Sequence, residues 1–243
     1  MRLLSWNILA GGGSRCAAIV GRLREHDADV VVLQETVPTR AADVCHALRA
    51  AGYAYGLSTP RAARERGMCV LSRLPIRRVA GQRPTHAGIY PRGWLELELV
   101  GSGMRIAAVY GPAEGAPVPA FWNAMAAWVP RRATRPFIML GDFNAGASGV
   151  DADGYRFMAG RAFARLADAG LVDLWRREHG DSREHTWFSH LPGGRPGRGF
   201  RIDHAFASRP LAERVTACRY DHDVRVHGLS DHSLLVVDLA LAS

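Results

Sequence analysis

At 243 residues, with 48% hydrophobic and 22% charged residues, the chain holds enough apolar material for one large α/β domain and too much for a disordered segment. The formal net charge of +8 favours polyanionic partners, because each basic group set near a phosphate releases counterions. All 31 basic residues are arginine, a bias that either a GC-rich coding sequence or a demand for bidentate phosphate forks would produce.

No apolar run approaches a membrane helix, since Leu234 to Ala242 is interrupted by Asp238, and the chain opens directly into a strand without a basic and apolar leader. The expectation is one soluble, cytoplasmic domain spanning 1–243, with no membrane association and no obligate protein partner. Cys16, Cys45, Cys69 and Cys218 are widely spaced, without a Cys-x-x-Cys pair or a histidine at zinc spacing, and read as reduced, buried thiols.

In chain order, Arg2 to Ile8 reads as a strand, followed by the loop Gly11-Gly12-Gly13 with Ser14 as helix cap. Cys16, Ile19, Val20 and Leu23 then recur at helical spacing to about Glu25. Asp29 to Leu33 is a buried strand that delivers Glu35 to the same edge as Asn7 if the intervening helix is a right-handed crossover. Thr39 as cap, Ala41, Val44, Cys45 and Leu48 as a stripe and Gly52 as stop predict a second helix. Met68 to Ser72, Ile76 to Ala80 and Trp94 to Leu99 read as short strands, the last with Leu95, Leu97 and Leu99 inward and Glu96 and Glu98 outward. Met104 to Tyr110 is another strand, and Phe121, Ala124, Met125 and Trp128 form a helical stripe.

Phe137-Ile138-Met139-Leu140, bounded by Pro136 and Gly141, reads as a strand buried on both faces, which puts Asp142 and Asn144 at its carboxyl end. An ionised Asp beside a neutral Asn supplies a water-orienting acceptor next to a donor–acceptor amide, although an Asp/Asn turn would read the same way. Beyond it, Asp151-Ala152-Asp153-Gly154 lacks the remaining ligands of a calcium loop and reads as a turn. Phe157 to Ala169 is helical, Ser189 to Gly199 a mobile Gly/Pro/Arg-rich loop, and Phe200 to Ala207 and Leu234 to Leu241 closing strands.

Further polar islands stand at the edges of apolar runs: Leu4-Ser5-Trp6-Asn7, Val30 to Glu35, Ala108-Val109-Tyr110-Gly111-Pro112, Arg201-Ile202-Asp203-His204 and Ser230-Asp231-His232. A serine-hydrolase relay is excluded, because Ser230, Asp231 and His232 are sequence neighbours and no Gly-x-Ser-x-Gly elbow exists. With Gly141-Asp142-Phe143-Asn144, the islands resemble in content and order the endonuclease/exonuclease/phosphatase superfamily, from Asn7 to His232. That resemblance implies a four-layer α/β/β/α sandwich of two mixed β-sheets flanked by helices. It implies Glu35 as principal Mg²⁺ (or Mn²⁺) ligand with Asn7 and Asp231 near the same metal. Asp142 would take or orient the attacking water, with Asn144 fixing its geometry. His232, held by Asp203, and Tyr110 would contact the phosphate.

In motif pattern the chain is most similar to exonuclease III-type abasic-site nucleases. Thr186-Trp187-Phe188 and Gly199-Phe200-Arg201-Ile202-Asp203 match the stretch that in those enzymes walls an apolar sugar pocket, giving Trp187, Phe200, Ile202 and Arg201 as substrate-binding residues. The alternation of a strand also allows Phe200 and Ile202 to be core. The chain departs from the repair members at Ala113, where they carry Asn, and at Leu9, where they often carry Asp. The leading expectation is a metal-dependent DNA endonuclease or exonuclease whose Arg-rich segments Arg61 to Arg66, Arg73 to Arg78 and Arg195 to Arg201 grip phosphates. The alternatives are a phosphatase or phosphodiesterase acting on a small or lipid phosphate ester, and a catalytically silent nucleic-acid-binding module.

Overall fold

The structure, a computed structural model, describes residues 1–37, 42–59, 65–79, 84, 90–113, 115 and 117–240. Thr39, Ala41, Ala80 and Arg61 to Arg64, all singled out in the sequence, lie outside the described residues. In the first half, β1 (Arg2–Asn7) leads through α1 (Cys16–Glu25) to β2 (Val30–Thr36), and α2 (Ala42–Ala50) to β3 (Tyr55–Ser58) and β4 (Gly67–Ser72). In the second, β5 (Ile76–Arg78), β6 (Trp94–Leu99) and β7 (Arg105–Tyr110) precede α3 (Pro117–Trp128) and β8 (Phe137–Asp142). The remainder adds α4 (Gly160–Asp168), β9 (Leu171–Asp173), α5 (Leu174–His179), β10 (Trp187–His190), β11 (Pro196–Phe200) and β12 (Asp203–Ser208). It closes with α6 (Arg209–Ala212), β13 (Val215–Asp221), α7 (Asp223–Val226) and β14 (Leu234–Leu239).

Two six-stranded mixed sheets result, ordered β13-β14-β1-β2-β4-β3 and β5-β6-β7-β8-β12-β9. Each has one parallel pair, β1–β2 and β7–β8, and parallel neighbours need a crossover, which α1 and α3 supply. Side-chain alternation then distributes the apolar residues among layers. Leu3, Val32, Leu97, Ile106, Leu140 and Val237 form the core between the sheets. Leu4, Trp6 and Val31 face the other way and pack with Ile19, Leu23, Val44 and Leu48 of α1 and α2. Val109, Phe137 and Met139 pack with Phe121, Met125 and Phe163 of α3 and α4. This is the four-layer α/β/β/α sandwich. No helix among the described residues is long and apolar enough to cross a membrane.

Several local expectations are corrected. α1 has no Ser14 side-chain cap and starts at Cys16 after a 3₁₀ turn, Gly13–Arg15. The strand expected over Phe200 to Ala207 is two strands, β11 and β12, interrupted at Arg201 and Ile202. The expected mobile loop Ser189 to Gly199 belongs largely to a hairpin in which β10 pairs with β11. Glu96, expected outward, is only 3% exposed: it lies beneath the helix layer with Arg132 Nε at 2.9 Å, and that guanidinium stacks 4.3 Å over Trp128. Cys69 and Cys218 are buried, but Cys16 and Cys45 are half-buried; all four are free thiols.

Candidate active site

Parallel pairing brings the carboxyl ends of β1 and β2, and of β7 and β8, to one edge of each sheet. β12 runs antiparallel to β8 with Asp203 opposite Asp142, so its first residue arrives at the same edge. β14 runs antiparallel to β1, and the turn before it delivers Asp231 and His232 there. Two glycines let the backbones close in. A Cβ on Gly141 would meet the Val109 carbonyl at 1.9 Å, and one on Gly111 the Phe143 carbonyl at 2.0 Å. No larger residue fits either position.

The side chains are aimed by unusual backbone. Glu35 sits in a bulge, where the β2–β4 register shifts between Gln34 and Thr36, with φ of 56°. Leu9, Ala10 and Asn144 are also left-handed, at 50°, 52° and 47°. Such conformations cost roughly 1–3 kcal/mol each and persist where the surroundings fix them. Here Leu9 N donates to Asn7 Oδ1, Ala10 N to Glu35 Oε2 and Asn144 N to Asp142 Oδ1, each at 3.0 Å.

Asp142, Asn7, His232 and Asp203 form a connected buried group. Asn7 Nδ2 donates to Asp142 Oδ2 at 3.0 Å and lies 3.5 Å from His232 Nε2. Asn144 Nδ2 donates to Asp142 Oδ2 at 3.2 Å and to the Gly111 carbonyl at 3.0 Å. His232 Nδ1 meets Asp203 Oδ2 at 3.0 Å, and its Nε2 stands 4.0 Å from Asp142 Oδ2. Burial pushes the Asp142 carboxyl up to about 7. Burial opposes a charge on His232, but Asp203 and Asp142 outweigh it and raise the imidazole to about 10. At neutral pH the imidazole therefore carries the proton and points Nε2–H into the site.

Beside this group, the Glu35 carboxylate takes Tyr110 OH on Oε1 at 3.3 Å and Arg66 Nη1 on Oε2 at 3.0 Å. Burial, with the Glu35 and Asp142 charges, pushes the Tyr110 phenol up. Trp187 Nε1 donates to Asp231 Oδ2 at 3.0 Å. Asp203 Oδ1 and Asp231 Oδ1 are buried without a hydrogen-bond partner among the described residues. Oxygen donors short of a partner, and a Glu35 carboxylate already drawing a guanidinium, suit a hard divalent cation. Asp142, Asp203 and His232 are also close enough to hold one, with donor atoms within 4.8 Å of one another.

The expected substrate-binding residues divide. Trp187 and Phe200 are half-exposed, with ring centroids 5.6 Å apart, and Trp187 lies 6.3 Å from the His232 ring. Ile202 is buried at 5% exposure. Arg201 is corrected: at 1% exposure it does not reach the surface. Its Nε binds Asp151 Oδ1 at 2.8 Å and its Nη2 Asp173 Oδ2 at 2.6 Å. Those bonds also explain the Asp151 turn, whose carboxylate is an anchor. Arg73 to Arg78 lie at the opposite end of the sheet, since Ser72 pairs with Val30 at the start of β2. Arg73 and Arg77 there hold Asp27 and Glu98.

Arg66, expected in a phosphate-gripping segment, instead pairs with Glu35, and sequence reasoning missed the supporting roles of Thr186 and Ser230. Thr186 Oγ1 receives the Ile202 and Asp203 amides at 3.1 and 3.2 Å, and Ser230 Oγ donates to the Asn7 carbonyl at 2.5 Å. The only signal was their position beside Trp187 and Asp231.

The chain is similar in structure to an AP endonuclease from Archaeoglobus fulgidus, with a TM-score of 0.81 and 19% identity over 99% of this chain and 100% of that one. A 3′ phosphatase, NExo, from Neisseria bound to a product DNA hairpin gives 0.79 and 22% over the same shares. A 3′-5′ exonuclease, NExo, from Neisseria meningitidis gives 0.78 and 22%, again over 99% and 100%. Residues 4–232 match the sequence profile of the Endonuclease/Exonuclease/phosphatase family, from the first strand to the histidine of the buried group; the chain belongs to that family.

Proposed function

We propose that the chain is a divalent-metal-dependent phosphodiester hydrolase that cuts DNA, an endonuclease or exonuclease of the exonuclease III type. The observation that carries this reading is the buried Asp142–Asn7–His232–Asp203 group at the carboxyl edge of both sheets. Asp142 accepts from and orients the attacking water, with Asn144 and Asn7 fixing its two oxygens. His232, kept protonated by Asp203, donates Nε2–H to a phosphate oxygen and stabilises the charge that grows in the transition state. Tyr110 would be a further phosphate contact. Glu35, with Asn7 and Asp231, would hold the metal, Mg²⁺ or Mn²⁺, which when bound neutralises charge on the non-bridging oxygens. The half-exposed Trp187–Phe200 step beside His232 supports a nucleic-acid substrate, because aromatic faces accept bases or unstacked sugars. The similar 3′ phosphatase from Neisseria is bound to a product DNA hairpin, which points the same way.

The test is cleavage of a labelled duplex carrying one abasic site, of an intact duplex and of a single strand, with Mg²⁺ and with chelator, by wild type and Asp142→Ala. Metal-dependent cleavage lost in the variant is expected. Failure to cut any nucleic acid, by a protein that still hydrolyses a generic phosphodiester, would move the substrate to small phosphate esters.

A further inference from the structure

Next to the buried catalytic group, and lined by the neighbouring Asp231, is a cavity of about 330 Å³ whose walls include Leu9, Phe188, His190, Pro196 and Arg225. Separate parts of the fold meet there: the turn after β1, the β10–β11 hairpin, and α7. Leu9, Phe188 and Pro196 make the walls largely apolar, and Arg225 supplies the positive charge.

Arg225 is half-buried and lines this cavity. Its Nε donates to Ser233 Oγ at 3.4 Å, and its guanidinium lies 4.6 Å over the Phe188 ring. Among the described residues, no acceptor bonds its Nη1 or Nη2 and no carboxylate stands at ion-pair distance. Glu184, whose charge reaches it, is engaged by His222 Nε2 at 3.3 Å and the His185 amide at 2.8 Å. Arg22 and Arg201 hold carboxylates, which raise their proton affinity; burial lowers that of Arg225. A half-buried cation with two free N–H edges facing a cavity is short of one oxyanion. Asp231 lines the same cavity, and its charge keeps such an anion to the Arg225 side.

We propose that this cavity is the subsite for the nucleotide adjoining the scissile phosphate, with its phosphate in the fork of Arg225 and its sugar or base against Leu9, Pro196 and His190. The inference rests on the nucleic-acid reading above and deepens it. The preferred substrate is a strand that carries a second phosphodiester beside the one cut, because an ester with a single phosphate leaves the Arg225 fork unused.

The experiment compares wild type, Arg225→Gln and Arg225→Lys in two measurements. One is steady-state hydrolysis of a short oligonucleotide and of a generic diester with one phosphate. The other is binding of a fluorescein-labelled oligonucleotide in chelator, read by anisotropy. A charge-assisted contact to a phosphate predicts that Arg225→Gln raises KM and weakens chelator-state binding by about 10- to 100-fold on the oligonucleotide. The loss on the generic diester should be at least tenfold smaller, and Arg225→Lys should recover part of the binding. Equal losses on both substrates, or wild-type KM and binding in Arg225→Gln, overturn the subsite and leave the nuclease reading standing. A wild type that hydrolyses the generic diester but no oligonucleotide overturns both. Should Arg225→Gln fail to fold, Arg225→Lys alone carries the test, since it keeps the charge and loses the fork.

Discussion

Replacing Arg201 by Met tests whether this arginine holds the fold or the substrate. The guanidinium is 1% exposed, bonds Asp151 at 2.8 Å and Asp173 at 3.2 and 2.6 Å, and lies 5.2 Å from the Trp175 ring centroid. In Arg201→Met, Asp151 keeps Arg176 at 2.5 Å, whereas Asp173 loses its closest cation. Removing one partner from a buried ion pair costs about 3–5 kcal/mol. In a domain of this size that is a fall in Tm of roughly 6–20 °C, at about 2–4 °C per kcal/mol. The loop between β11 and β12 should loosen as well, because the side-chain bonds that tie it to Asp151 and Asp173 stand just before Asp203. The expected kinetic signature is a lowered kcat with little change in KM. Acid titration adds a second readout. Burial pushes the Asp151 carboxyl up, but His204, Arg201 and Arg176 outweigh it and hold it down to about 2. Its charge therefore stabilises the fold above about pH 4, and about 2 kcal/mol is lost as the pH falls toward 2. Arg201→Met should flatten that limb. The assays are thermal denaturation by circular dichroism between pH 2 and 7, and steady-state kinetics. A Tm within about 3 °C of wild type, together with a raised KM, would refute the reasoning and return Arg201 to the substrate.

His204 predicts a milder acid sensitivity: burial and then the Arg201 charge lower its imidazole to about 4, so the folded state resists a proton that the unfolded chain takes up near 6.5. In urea denaturation of wild type against His204→Asn, the contribution of the histidine itself should be about 2 kcal/mol less favourable at pH 5 than at pH 7.5, and parallel pH dependences would rule this out. Asp203→Asn removes the carboxylate that raises His232, so the basic limb of the pH–rate profile should move down from about 10 while kcat falls on the order of 10²- to 10⁴-fold. An unmoved limb would mean that another group sets it. Arg66→Gln frees Glu35 from an ion pair whose arginine side chain is 51% exposed, a contact worth at most about 1 kcal/mol. Calorimetry should show Mg²⁺ binding tightened by up to about fivefold, and weaker binding would assign Arg66 a supporting role instead.

Most of the architecture was legible because buried strands leave unbroken apolar runs and their polar ends stand out. Phe137 to Asp142 shows this: four apolar side chains are divided between two cores, and the carboxylate that follows lies in the site. Alternation on β6 was read correctly at Leu95, Leu97 and Leu99, yet it failed for Glu96, because periodicity reports a face and not what covers it. The bulge at Glu35 was invisible, since it depends on the β4 register and leaves no mark in the composition of β2. Arg201 was misread for a similar reason. Its partners Asp151 and Asp173 are distant in sequence, and a buried arginine looks like an exposed one until they are brought together. The hairpin β10–β11 was hidden by Gly and Pro, which here form the turn and the edge strand.

β1, which carries Asn7, pairs on one side with β2 and on the other with β14, Leu4 opposite Val236. As the chain leaves the ribosome, β1 and β2 can close through α1 at once, but the other edge of β1 waits for almost the whole domain to be made. Until then its peptide groups are an open template for pairing with other chains. His232 arrives only with the turn before β14, so its imidazole joins Asp142 as that edge is covered. A nascent chain stalled short of β14 therefore lacks the completed buried group and is prone to aggregate.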